Sequence, residues 1–263
     1  MASIAAVVLL VGCGSSSDQA AKDTATPTPT PTAQAPSLDR LPEVPAATEA
    51  TQRPAPGDQF LRNVFDDVQA MWQRDFESAG IEYIPATMTL FRDEVHTACG
   101  TQPASVGPFY CPADHGVYLD TRFFAALSRQ AGVALGDFAQ AFVVAHEVAH
   151  HVQVLLGITQ RVRAADEQDP EGTNGRSVRL ELQADCLAGV WKHAAYQRGE
   201  VTPADLTDAL NAAAVVGSDF QQARATGIIR PEDWTHGSSR QRQHWLTTGF
   251  EHGDPGACDT FGP

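Results

Sequence analysis

Between Asp137 and Leu156 the residues Phe138, Phe142, Ala145, Ala149, Val152 and Leu156 recur at helical spacing, and His146-Glu147-Val148-Ala149-His150 is set into that helix. At about 3.6 residues per turn, His146 and His150 project from one face a turn apart, so both imidazoles can reach a single ion. Glu147 sits beside them, where a carboxylate can take a proton from a water activated by the metal and hand it to a leaving amine. Any fold for this chain must bury the apolar stripe and still leave this edge of the helix open to a cleft. Asp137 is read as the N-cap and Gly157 as the stop.

A catalytic zinc site takes three protein ligands and keeps one position for water or substrate. The metzincin pattern needs a Gly three residues past the second His and a third His six past it. Gln153 and Leu156 stand there, which excludes that class. Residues 177–198 read as a second helix with Val178, Leu182, Leu187, Val190, Trp191 and Ala194 on its apolar face and Gly199 closing it. Within it, Glu181 and Asp185 are four apart and share a face. One carboxylate can bind metal while the other holds a ligand histidine by its far ring nitrogen. Glu181 is assigned to the metal and Asp185 to that supporting role.

At this point the chain resembles a known family. His146-Glu147-Val148-Ala149-His150-His151-Val152-Gln153, followed by Glu181-Leu182-Gln183-Ala184-Asp185-Cys186-Leu187-Ala188-Gly189-Val190-Trp191, is similar to the neutral zinc metallopeptidases of bacteria, a gluzincin-type group. Gly107-Pro108-Phe109-Tyr110-Cys111-Pro112-Ala113-Asp114, Val117-Tyr118-Leu119-Asp120, His236-Gly237-Ser238-Ser239 and the segment Gly253 to Phe261 extend the resemblance over roughly residues 58 to 263. It implies a zincin-like domain with one Zn2+ per chain on His146, His150 and Glu181, Glu147 as catalytic base, and a peptide or protein substrate. It also implies an edge strand beside the zinc helix that binds substrate backbone in extended form. The other class to hold in view is an inactive zinc-binding lipoprotein that recognises envelope proteins or peptides through its cleft.

His151 is five residues from His146 and so rotated about 140° away on the helix; it is structural or substrate-facing rather than a ligand. His236, in the loop Trp234-Thr235-His236-Gly237, is a candidate to donate to a developing oxyanion, against the alternative of a solvated or capping histidine. Tyr118 is a weaker candidate for the same task.

The N-terminus addresses location. Residues 2–11 are small and apolar, and Leu10-Val11-Gly12-Cys13 fits the processing box of a bacterial lipoprotein, with Cys13 the lipidated residue. No Lys or Arg precedes the apolar run, a departure from ordinary export signals. About ten apolar residues are too few to span a bilayer as a helix. The reading is a signal peptide over 1–12, a lipidated Cys and Pro/Thr/Ala-rich tether over 13–57, and a single domain over 58–263. Eight of the seventeen prolines fall between residues 14 and 57, with little to bury, so that stretch is extended rather than packed. The expected place is the extracytoplasmic face of a bacterial cell membrane, held by the lipid.

Four further cysteines, Cys99, Cys111, Cys186 and Cys258, suit an oxidising compartment. Three pairings can be drawn. Cys99 with Cys111 closes a short loop around the Gly107-Pro108 turn, which leaves Cys186 with Cys258. A formal net charge of −14 argues against nucleic acid as a partner.

The remaining pattern predicts an α+β, mainly helical fold with a small sheet. A helix spans about 59–79, with Phe65, Val68, Met71, Trp72 and Phe76 as its stripe; extended segments lie near 87–91 and 117–120. Residues 159–176 read as a polar loop over the cleft. A helix with Thr202 as N-cap and Pro203 in its first turn runs to about Gln222, and a last one spans 238–250.

Overall fold

The structure is a computed structural model that describes residues 57–132 and 135–262. Cys13, the expected signal segment and nearly all of the expected tether lie outside the described residues.

Among the described residues, eight α-helices accompany a small sheet, an α+β and mainly helical fold. Helix α1 (Asp58–Ser78) leads to β1 (Thr87–Phe91), a hairpin of β2 (Glu94–Thr97) and β3 (Gly100–Pro103), then β4 (Phe109–Cys111), β5 (Gly116–Asp120) and α2 (Phe123–Ala131). The helical part continues with α3 (Asp137–Leu155), α4 (Ile158–Gln168), α5 (Thr173–Gln197), α6 (Pro203–Val215), α7 (Ser218–Thr226) and α8 (Ser239–His252). The sheet order is β1-β5-β4, with β1 parallel and β4 antiparallel to β5. All five residues of β5 are buried, as the central strand of a sheet covered on both faces requires.

Helix α3 is the axis of the core. Val144, Ala145, Val148, Ala149 and Val152 are fully buried, and α3 packs against α1, α5 and α6. Its small residues let α5 come close, and Trp72 and Phe76 of α1 pack into the same core. Gly136, rather than Asp137, is the N-cap residue; Asp137 lies in the first turn, where its carboxylate complements the helix dipole. Gly157, at φ 68°, takes the left-handed turn that ends α3 and starts α4 at 74° to it.

Two further expectations fail. The span 159–176 is not a loop: α4 covers most of it, a 3-10 turn follows at Pro170–Gly172, and α5 starts at Thr173. Only Ile158 and Val162 of α4 are buried, so its apolar signal is two residues four apart on an otherwise polar segment. The helix expected over 202–222 breaks into α6 and α7, because Gly217 meets the backbone of Ser239 at the start of α8. The Ser239 amide donates to Asp219 Oδ1, and its hydroxyl, within 2.8 Å of both Ala214 C=O and Asp219 Oδ1, donates its one proton to either, pinning the break.

Helices α5 and α8 touch backbone to backbone. A Cβ on Gly189 would collide with the Leu246 carbonyl and the Phe250 amide; one on Gly249 would collide with the Cys186 carbonyl. Both expected bridges form: Cys99–Cys111 closes the β2–β3 region onto β4, and Cys186–Cys258 fastens the C-terminal 3-10 turn to α5.

Candidate metal centre and cleft

His146 and His150 leave α3 a turn apart, with ring centroids 4.8 Å from each other and planes at 88°. Glu181 reaches across from α5. Its Oε2 lies 3.2 Å from His146 Nε2 and its Oε1 3.4 Å from His150 Nε2. One ligand atom from each of the three residues falls within 4.8 Å of the other two. The helical spacing on α3 thus brings the two histidines together, and the α3–α5 contact supplies the third group.

Behind His146, Asp185 Oδ1 accepts from Nδ1 at 2.9 Å. With Nδ1 supplying that proton, a neutral His146 turns the lone pair of Nε2 toward a carboxylate oxygen, and two acceptors 3.2 Å apart need a proton or a cation between them. This is the chemistry of a metal site, and two imidazoles with one carboxylate are the donor set that zinc takes when one position stays open. With a proton there instead, burial alone would lower the His146 pKa, but Asp185 and Glu181 outweigh it and push it up to about 10. Burial alone would raise Glu181; His236, His150 and His146 hold it well below the usual carboxylate range.

Sequence reasoning missed Arg242. From α8, its Nε and Nη2 donate to Asp185 Oδ2 and Oδ1 at 2.8 and 2.7 Å, and both side chains are buried. Burial would raise Asp185, yet Arg242 and His146 hold it below its ordinary value. Nothing local in the sequence marks Arg242, since it lies 57 residues from Asp185 and meets it only through the α5–α8 contact. Gln153 was also missed: its Oε1 is 2.9 Å from His150 Nδ1. Its position three residues past His150, on the same helix face, was the available signal.

Glu147 is buried at the head of the cleft, and burial raises its pKa above the ordinary carboxylate value. His236 faces the same space. Its loop is pinned by Ser177, whose hydroxyl donates to Thr235 C=O, and by Ser218, whose hydroxyl accepts from the His236 amide. Burial lowers the His236 pKa, so its ring is neutral near pH 7, with Nδ1 2.8 Å from Thr235 Oγ1.

The cleft encloses about 360 Å³. Phe109, Phe123, Leu127, Phe142 and Val143 line it with His146 and Glu147, and Ser177, Gln221, Gln222 and Thr235 add polar groups. Among the described residues, strand β4 pairs only with β5, and Pro108, Phe109 and Tyr110 line the cleft. His151 points the other way. Fully buried, it lies 2.6 Å through Nε2 from Ile84 C=O and 2.9 Å through Nδ1 from the Tyr110 hydroxyl, and burial lowers its pKa to about 4. That is a structural histidine. Tyr118 is engaged elsewhere, stacked on Phe109 with its hydroxyl donating to Asp114 at 2.8 Å.

His-Glu-x-x-His on the buried helix α3 and a glutamate on α5 make a group that could hold a metal ion, in the pattern that zinc hydrolases use. The chain belongs to the family described as "Putative neutral zinc metallopeptidase", whose profile matches residues 6–261. It is 43% identical over 205 residues to "Uncharacterized protein YpfJ" of Escherichia coli (strain K12), covering 78% of this chain and 71% of that one. It is 48% identical over 189 residues to "Uncharacterized protein Rv2575" of Mycobacterium tuberculosis, covering 68% of this chain and 63% of the relative. No solved structure matches significantly.

Proposed function

We propose that this protein is a zinc metalloendopeptidase, tethered by lipid at Cys13 to the extracytoplasmic face of a bacterial cell membrane. The observation that carries the reading is the convergence of His146 Nε2, His150 Nε2 and a Glu181 carboxylate oxygen beside Glu147 at the head of an open cleft. Zinc, when bound there, acidifies a water and polarises the substrate carbonyl.

The chain's own groups then divide the work. Glu147 takes the proton from the attacking water and delivers it to the departing nitrogen; its burial keeps it a stronger base than an ordinary carboxylate. The neutral His236 ring donates to the carbonyl oxygen as charge develops on it, an interaction worth most where water is excluded. Asp185 holds His146 in place. Substrate lies extended along the outer edge of β4, with a bulky apolar side chain against Phe123, Leu127, Phe142 and Val143.

The test is cleavage of a mixed-sequence peptide library by the full chain, loaded with zinc and with its disulfides intact. Internal cuts flanked by bulky apolar residues, abolished by a chelator and restored by zinc, are expected. A folded, zinc-loaded protein that binds peptides from the library and cuts none would replace this reading with that of an inactive zinc-binding lipoprotein. Membrane tethering is tested separately: Cys13→Ala should move the protein from the membrane to the soluble fraction of the expressing bacterium.

A further inference from the structure

The two histidines of the triad have different supports. His146 has a buried ion pair behind it, Asp185 with Arg242. His150 has a neutral amide, Gln153, which is itself fully buried. Gln153 Nε2 carries two hydrogens, and both have acceptors: Leu180 C=O at 2.8 Å and Gln183 Oε1 at 3.1 Å. Gln183, buried in turn, donates from Nε2 to Cys258 C=O at 3.0 Å. Cys258 is bonded to Cys186, which follows Asp185 on α5.

Counting donors and acceptors gives this chain one direction. Backbone carbonyls only accept, so Leu180 and Cys258 fix which end of each amide is the nitrogen. The amide oxygens then face Gln153 Nε2 in one case and His150 Nδ1 in the other. An amide oxygen only accepts, so Nδ1 of His150 carries the proton and Nε2 turns its lone pair toward Glu181. Metal binding requires that tautomer.

We infer that Gln153 and Gln183 act in series as positioning residues: they fix the tautomer and ring orientation of His150 for metal and tie both to the C-terminal turn at Cys258. The inference rests on the metal site proposed above. Gln183 is placed by the hydrogen bonds against Gln153 and Cys258 and acts on His150 only through Gln153. With Gln183 absent, one hydrogen of Gln153 has no acceptor and the Leu180 carbonyl alone holds the amide, so its hold on the His150 tautomer weakens.

The experiment measures zinc affinity of the full chain by competition with a chromogenic chelator, beside the melting temperature of each metal-free variant. Gln153→Met should weaken zinc binding about 10–100-fold, the usual effect of losing a ligand's supporting partner. Gln183→Met should weaken it too, by less, and the double variant should lose no more than Gln153→Met alone, because a series has one output. In the zinc-loaded wild type, the His150 Nδ1 proton should give a slowly exchanging imidazole signal that broadens in Gln183→Met. Gln153→Asn, which keeps an amide but shortens its reach, replaces Gln153→Met if that variant fails to fold. Wild-type zinc affinity in both single variants, with lowered melting temperatures, would reduce the two glutamines to packing residues and overturn the inference. Additive losses in the double variant would overturn the series. Zinc binding is read apart from turnover, so a protein that behaves this way yet cuts no peptide would sink the peptidase reading and leave the relay standing.

Discussion

Arg242 grips Asp185 with two donors, at 2.8 and 2.7 Å, and both side chains are buried. The pair joins α8 to α5 and ends on His146, so one buried ion pair serves both the packing of the fold and the aim of a metal ligand. Removing one partner of such a pair leaves an uncompensated buried charge. Arg242→Met is expected to lower unfolding free energy by about 3–5 kcal/mol in denaturant titration and to weaken zinc binding as well. An unchanged midpoint would show that Asp185 finds another partner.

The distance between those two residues is set by glycines. Gly249 lies against the Cys186 carbonyl and Gly189 against Leu246 and Phe250, so the helices approach as closely as backbone allows. Gly249→Ala should cost about 1–3 kcal/mol or more, since the neighbour is backbone and cannot swing away. Zinc affinity should fall with it as Arg242 is pushed off Asp185. A surface control such as Gly175→Ala, where a Cβ meets nothing within 4 Å, should do neither.

Zinc must displace a proton. In the metal-free site the His146 pKa is pushed up to about 10, from 6.5, by Asp185 and Glu181 against the opposing effect of burial, so the ring is protonated at pH 7. Glu181, held well below its ordinary value, has already lost its proton. Zinc affinity should therefore rise by at least about tenfold per pH unit between roughly pH 7 and 9, and level off above 10. The linked stability of the metal-free protein has the opposite slope: the contribution of a raised histidine is complete below the unfolded pKa near 6.5 and is lost as pH rises through 10. Calorimetry in buffers of different ionisation enthalpy should detect at least one proton released per zinc; no release would contradict this account of the site.

The two bridges should differ in weight. Cys186–Cys258 spans 72 residues and Cys99–Cys111 spans 12, so chain-entropy arguments give about 4 kcal/mol for the first and about 3 kcal/mol for the second. Paired Cys→Ala variants followed by thermal unfolding measure the order. The C-terminal turn also carries the Cys258 carbonyl that Gln183 uses, so loss of its bridge should weaken zinc binding, and loss of the other should not.

The site was legible where it rests on one helix. Spacing alone places His146 and His150 together, and a four-residue interval on α5 places Glu181 and Asp185 on one face. The disulfide pairing followed from loop closure. What could not be read depends on contacts between distant segments. Arg242 sits on a helix with few buried residues, and its partner is identified only once Gly189 meets Gly249. Helix α4 was misread because two buried aliphatic residues among polar ones give weak periodicity. The α6–α7 break was misread because a single Gly inside a helical pattern usually costs little. Here it marks where Ser239 enters.

The most direct measurement is turnover by Glu147→Gln beside the wild type, with zinc content determined on the same samples. Glu147 is not among the three ligands but lies beside them, and the change from carboxylate to amide removes a base while keeping size. The account predicts one zinc per chain in both proteins, peptide cleavage by the wild type, and a loss of at least about 100-fold in kcat for the variant. Cleavage at the wild-type rate by a zinc-loaded Glu147→Gln protein would contradict it.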